Sequence, residues 1–197
     1  MPVVWLGHRV VDCARHPHPE RVWPVRVAAG AFGAGQPARA LYLSPDHAVY
    51  VEEVLIPVRY LINGGTIAQV PVDRVTYHHL ELEQHDVLLA EGLPTESFLD
   101  MKDGSNYANR PGPIHLYPDF SARMWEAFGC APLVVTGPEL EAARALVAGF
   151  ATDRAAAGIR PSAEAAAWSD ERRSGLSYQC PATTQSLAEC RSNDNVR

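Results

Sequence analysis

Between residues 40 and 92 the chain is cut into short runs rich in Val, Leu, Ile, Tyr and Thr, each closed by a turn signal: Glu52-Glu53, Asn63-Gly64-Gly65, Val72-Asp73 or Glu83-Gln84. The runs are too short for amphipathic helices and too closely spaced for βαβ crossovers, so the pattern predicts a compact all-β fold. Strands are expected at Ala40–Leu43, Ala48–Val51, Val54–Val58, Tyr60–Ile62, Thr66–Val70, Val75–Leu82 and Asp86–Glu91, with earlier ones at Val3–Leu6 and Val22–Val27. Asn63-Gly64 predicts a type I′ hairpin turn, because both central residues of that turn need positive φ.

Ser44-Pro45-Asp46-His47 lies between two of these runs and places a hydroxyl and an imidazole three residues apart at a sharp turn. Pro45 fixes its own φ, and Asp46 is expected to close an Asx-type turn onto the backbone. An imidazole beside a short hydroxyl can polarise or protonate a peptide group, although taken alone the pattern is better read as a surface turn that contains a histidine. In Val75–Leu82 alternation sends Tyr77 and His79 to one face and His78 and Leu80 to the other, so one of the adjacent histidines faces inward and needs hydrogen-bond partners. His85 is read as solvated.

The totals exclude several classes. The 197 residues suffice for one domain with a core, and 47% apolar with 20% charged residues describes a globular chain. The net charge is −6 and Lys102 is the only lysine, so nucleic acid is not an expected partner. No apolar run approaches the roughly 18–20 residues a membrane span needs. The N-terminus has no charged segment before a long apolar core, so no export address is read, and the expected location is cytoplasmic unless a larger precursor carries the chain out. Cys13, Cys130, Cys180 and Cys190 form no CxxC pair, which disfavours a zinc knuckle. His16-Pro17-His18 reads as a polar loop, and Gly30–Gly35 matches neither phosphate-loop pattern. A metal site from His47 with His78 or His79 lacks ligand spacing, and no cofactor is expected.

Beyond Gly92 the β pattern fades. Residues 105–113 read as a loop and 117–128 as one or two helical turns. Thr136-Gly137-Pro138-Glu139 is a capping-box pattern opening a helix over about 139–157. From Ser162 the chain lacks apolar periodicity and is expected to be a disordered tail. The division is then a β domain over 1–100, an extension over 101–160 and a tail over 161–197. Val3-Val4-Trp5-Leu6 enters a strand with no turn before it, which suggests the later part of a longer unit.

Two blocks taken together resemble a known family. Leu43-Ser44-Pro45-Asp46-His47-Ala48-Val49 looks like the Thr/Ser-x-x-His block of Hint domains, shared by Hedgehog autoprocessing domains and inteins. Val75–Leu82 with His85–Gly92 resembles the family's last block, and Cys130–Pro138 resembles the segment after the core in bacterial Hint-domain proteins. The resemblance implies a pseudo-symmetric β horseshoe and self-cleavage, in which a Cys or Ser attacks the preceding carbonyl and converts an amide to a thioester or ester. It gives His47 the role of protonating the departing nitrogen and Ser44 the hydroxyl role. His79 falls where many members carry a catalytic Asp, which suggests a general base. The partner would be the chain's own upstream polypeptide in cis. The family's opening nucleophile block has no match here, since Cys13 lies in Val11-Asp12-Cys13-Ala14-Arg15, and Leu93–Ser97 stands where splicing members carry His-Asn. Splicing is therefore not expected, and the domain reads as truncated and inactive without an upstream Cys or Ser. The alternative is a non-catalytic β module of a bacterial surface or secreted protein.

Overall fold

The computed structural model describes residues 2–99, 125–156 and 182–186. It is mostly short antiparallel strands with one long helix. Strand β1 (Val3–Asp12) pairs with β7 (Arg74–Leu82) as a two-stranded ribbon. Strands β2 (Val25–Val27), β3 (Leu41–Leu43) and β6 (Ile67–Gln69) form a second sheet in the order β3-β2-β6. Strands β4 (Ala48–Val51), β5 (Val54–Pro57), β8 (Val87–Ala90), β9 (Leu93–Glu96) and β10 (Ala182–Ser186) form a third, in the order β10-β8-β9-β4-β5.

The third sheet is built from two hairpins of one plan. Val51 pairs with Val54 across Glu52-Glu53, and Ala90 with Leu93 across Glu91-Gly92. All four turn residues have positive φ, from 50° to 81°, the twist a two-residue hairpin requires. Left-handed backbone is unfavourable for glutamate, so pairing on both flanks holds Glu52, Glu53 and Glu91 there. Asn63-Gly64 is not such a turn, because only Gly64 has positive φ. Asn63 Oδ1 instead accepts the N–H groups of Gly65 and Ile67, both at 3.0 Å, an Asx-type loop. The residues before it form a 3-10 turn at Val58–Leu61 rather than a strand at Tyr60–Ile62. That turn buries Val58 and Leu61 as a strand would, which is why apolar content misled.

The core runs through Val25, Val27, Val49, Ile56, Ile67 and Leu93, each no more than 1% exposed. Helix α1 (Pro138–Ala156) closes it with Leu140, Ala143 and Val147 at helical spacing. Arg144 Nε donates to the Tyr60 carbonyl at 2.9 Å, tying α1 to the 3-10 turn. Just before α1 the chain runs parallel to β5, with Leu55 N–H donating to Pro132 O at 2.9 Å and Val134 N–H to Leu55 O at 2.8 Å. Strand β9 lies where the sequence pattern had faded, because Pro94 and the polar Thr95 and Glu96 mask it. Within the tail only Ala182–Ser186 is described, as the strand pairing with β8. The expected loop at 105–113, Cys180 and Cys190 lie outside the described residues.

Candidate functional site

Ser44-Pro45-Asp46-His47 connects β3 to β4 as a tight turn closed by His47 N–H donating to Ser44 O at 3.0 Å. The 3-10 turn braces it from outside. Val58 N–H donates to His47 O at 2.9 Å, Arg59 N–H donates to Pro45 O at 3.1 Å, and the Arg59 guanidinium pairs with Asp46. Asp46 therefore faces outward to Arg59 and does not close the expected Asx turn. With the backbone fixed at both ends, the His47 side chain is directed inward.

On β7, His79 lies directly opposite Gly7 of β1. A Cβ at Gly7 would fall 2.0 Å from the Trp5 ring, so glycine lets the indole lie across the ribbon. From there Trp5 meets Phe98 with ring centroids 5.4 Å apart, Phe98 meets His79 edge-on at 5.5 Å, and His79 meets His47 at 6.4 Å. This aromatic row sets the position of His79. Its neighbour His78 leaves the other face, toward His8.

Ser44, His47 and His79 line one small cavity, of about 50 Å³, together with Thr95 and Glu96. The three residues expected from sequence are thus brought together, Ser44 and His47 from the β3–β4 connection and His79 from β7. Burial pushes the His47 pKa below the usual histidine value; the Glu96 carboxylate opposes the drop and His85 adds to it. Burial also holds His79 down, to about 3, reinforced by His47, Arg9 and His78. Both imidazoles are therefore neutral at pH 7, each with one donor and one acceptor nitrogen. Such a pair can take a proton and return it.

Glu96 was not singled out in the sequence. It is 11% exposed at the end of β9, and its Oε1 accepts the Ala48 N–H at 2.7 Å, immediately after His47. Its Oε2 stands 3.6 Å from His85 Nε2. His85 is not solvated as expected: its side chain is fully buried, edge-on to Trp125 at 5.0 Å. Burial alone would lower its pKa, but the Cys130 side chain and the Glu96 carboxylate outweigh this and raise it to about 9. Cys130 N–H donates to His85 Nδ1 at 3.0 Å, which favours the neutral ring. The upward direction prevails because a full negative charge outweighs one neutral dipole. Only the folded pairing of β4 with β9 and the return of residues 125–134 bring these groups together, and no local motif signals them. Asp86 is structural: Oδ1 accepts the Val87 N–H at 2.8 Å, and its own N–H donates to Ser97 Oγ at 3.0 Å.

Among the described residues, no group of three or more His, Cys, Asp and Glu stands where it could hold a metal ion, and no helix is long and apolar enough to cross a membrane. No curated protein and no solved structure matches the chain. A family model described as a Hint domain matches residues 1–102, more than half of the 197 residues and every described residue that lines the His47 cavity. The all-β architecture, the histidine turn between β3 and β4 and this match agree, and the chain belongs to the Hint domain family.

Proposed function

We propose that the domain performs Hint-type autoprocessing, an intramolecular N-to-S or N-to-O acyl shift followed by cleavage of a precursor, on its own upstream polypeptide in cis. The observation that carries this reading is the convergence of His47, His79 and Ser44 on one cavity. The scissile peptide would enter there with a Cys or Ser nucleophile supplied from upstream. Because burial keeps His47 neutral, it acts first as a base, taking the nucleophile's proton, and then as an acid, giving that proton to the departing amide nitrogen. The carbonyl carbon forms a bond to sulfur or oxygen and loses its bond to nitrogen. Ser44 Oγ polarises the carbonyl, and His79 fixes the orientation of His47 and accepts a proton during resolution of the ester by water or an added thiol.

The test is a longer precursor that carries a Cys-containing block upstream of residue 1, incubated with and without dithiothreitol. Thiol-induced cleavage before that Cys, lost in His47→Ala, is expected. A precursor that stays intact under every condition refutes the reading.

A second reading, a partner-binding β module of a bacterial surface or secreted protein, is favoured by one observation. Leu6 and Val10 stand on one face of β1, each 55% exposed, and exposed apolar surface marks interaction sites. Binding by such a module would be unaffected by His47→Ala and lost on Leu6→Asp.

A further inference from the structure

Among the described residues, Glu96 is the only carboxylate that lines the His47 cavity, and its two oxygens have different partners. Oε1 accepts the Ala48 N–H at 2.7 Å. The backbones of β4 and β9 meet in the single pair Val49 with Thr95, so the Glu96 side chain carries the pairing one step further, onto the peptide that follows His47. Oε2 faces His85 Nε2 at 3.6 Å. That nitrogen is buried and has no hydrogen-bond partner among the described residues, so the two groups meet through charge and not through a closed hydrogen bond. A glutamine or a backbone carbonyl would satisfy the Ala48 N–H equally well, without the cost of holding a carboxylate at 11% exposure. The charge itself therefore calls for an explanation.

We propose that Glu96 is a positioning residue for His47, bracing the His47 turn with one carboxylate oxygen and offsetting the charge the ring takes up during proton transfer, while His85 limits that offset. What the pair does in the reaction rests on the autoprocessing reading; its effect on the His47 ring does not.

In that reading His47 takes a proton from the nucleophile and passes it to the departing amide nitrogen, so its ring is a cation for part of the step. Burial opposes a cation there. A carboxylate lining the same cavity brings it within reach. An uncompensated carboxylate would hold the proton on the ring, and the charge of His85 facing Oε2 reduces that pull, so His47 can both accept the proton and release it. The groups that face His47 are Glu96 from β9, His85 from the β7–β8 connection and His79 from β7, while Asp46 and Arg59 pair with each other on the outer side of the turn. Of these, Glu96 raises the proton affinity of His47 and His85 lowers it, which matches the two opposed roles.

The test is the imidazole titration of the full chain with nitrogen-15-labelled histidine, followed by NMR across the acid range, the His47 signal being the one missing in His47→Ala. Glu96→Gln keeps an acceptor for the Ala48 N–H and removes the charge, so proton binding by the His47 ring should weaken at least about threefold. His85→Gln removes the opposing charge and should strengthen it by a similar factor. Loss of a merely structural contact would not move one ring in opposite directions. A His47 titration unmoved in both variants, or moved the same way, overturns the proposal, and if one variant unfolds the sign of the other decides. In the Cys-extended precursor, Glu96→Gln should shift the acid limb of thiol-induced cleavage to lower pH and slow cleavage at pH 7 at least about threefold. A parent precursor that stays intact refutes autoprocessing and leaves the titration to decide the role of Glu96. A Glu96→Gln precursor that cleaves with the parent's pH profile overturns the positioning role alone.

Discussion

Residues 41–57 and 80–96 follow the same plan: a strand, a four-residue connection, a strand, a two-residue turn of positive φ and another strand. Their connections differ in the order of two residues. The first ends Asp46-His47 and the second ends His85-Asp86. Successive side chains leave the backbone on opposite sides, so the exchange sends the two imidazoles to different surroundings. His47 turns into the cavity beside His79, where burial keeps it neutral. His85 turns beneath Cys130 and over Glu96, where a negative charge makes it basic. The aspartates follow suit, with Asp46 pairing outward with Arg59 and Asp86 holding the N–H of the next residue. Repeating a backbone plan thus fixes where a side chain starts, while the residue order in the connection decides which protonation chemistry it meets.

The largest effect that would test this comparison lies at equivalent places in the last strands, Ile56 in β5 and Thr95 in β9, both fully buried. Ile56→Ala removes core volume and should cost about 3 kcal/mol. Thr95→Val keeps the shape and gives up only a long 3.5 Å hydrogen bond to Leu88 O, so it should cost about 1 kcal/mol or less. Urea denaturation of both variants measures the difference. Equal losses would mean that the Thr95 hydroxyl holds the second hairpin as strongly as the Ile56 side chain holds the first.

The two kinds of histidine should also act on opposite limbs of the pH–stability curve. His79 is lowered to about 3 in the folded chain, against about 6.5 unfolded. The unfolded state binds the extra proton, so the contribution of His79 is complete above pH 6.5 and is lost as pH falls toward 3. His85 is raised to about 9. Its contribution is complete below about 6.5 and is lost as pH rises through 9, by at most about 3 kcal/mol from its shift. His79→Gln should therefore flatten the acid limb, and Glu96→Gln the alkaline one. Denaturant midpoints across pH 3–10 test both, and flattening of the same limb by both variants would abolish the distinction.

A smaller effect is expected at Gly7, where the aromatic row begins. Gly7→Ala forces the Trp5 ring off the ribbon, because the new Cβ would overlap it. Losing the contact with Phe98 should cost about 1 kcal/mol and change the ring environment of His79, readable as a shift in its imidazole NMR signals. Unchanged signals would show that β7 pairing alone positions His79.

The hairpins were legible because their strands are apolar and their turns polar, and because an imidazole at a tight turn between strands is a local pattern. Ser44 and His47 could be read for that reason, and His79 from alternation along its strand and from the resemblance. Glu96 could not, since its importance comes from pairing with β4 and from His85, contacts that no spacing near Leu93–Ser97 encodes. His85 was misread because a polar residue between Gln84 and Asp86 looks solvated until Trp125 and Cys130 return to cover it. The strand at Tyr60–Ile62 and the turn at Asn63-Gly64 failed for a related reason. A 3-10 turn and an Asx loop use the same residue types as a strand and a hairpin turn, and only the backbone angles separate them.

The smallest expected effect on stability tests most directly whether His47 is held by its connection or by the cavity. Arg59 is 44% exposed and Asp46 71% exposed, so their ion pair is screened and Arg59→Ala should cost only about 0.5 kcal/mol. The backbone bonds from Val58 and Arg59 to the turn remain, and the neutral state of His47 comes first from burial rather than from Arg59. If the cavity holds the imidazole, Arg59→Ala leaves the pH titration of the His47 ring unchanged, and in a processing-competent precursor it leaves the cleavage rate within about twofold. If the rate falls tenfold while stability stays the same, Asp46 and Arg59 act as a positioning clamp for His47. The second hairpin has no such clamp, since Asp86 is turned back onto its own strand, so that outcome would make the order Asp-His, rather than burial alone, the feature that distinguishes the two connections.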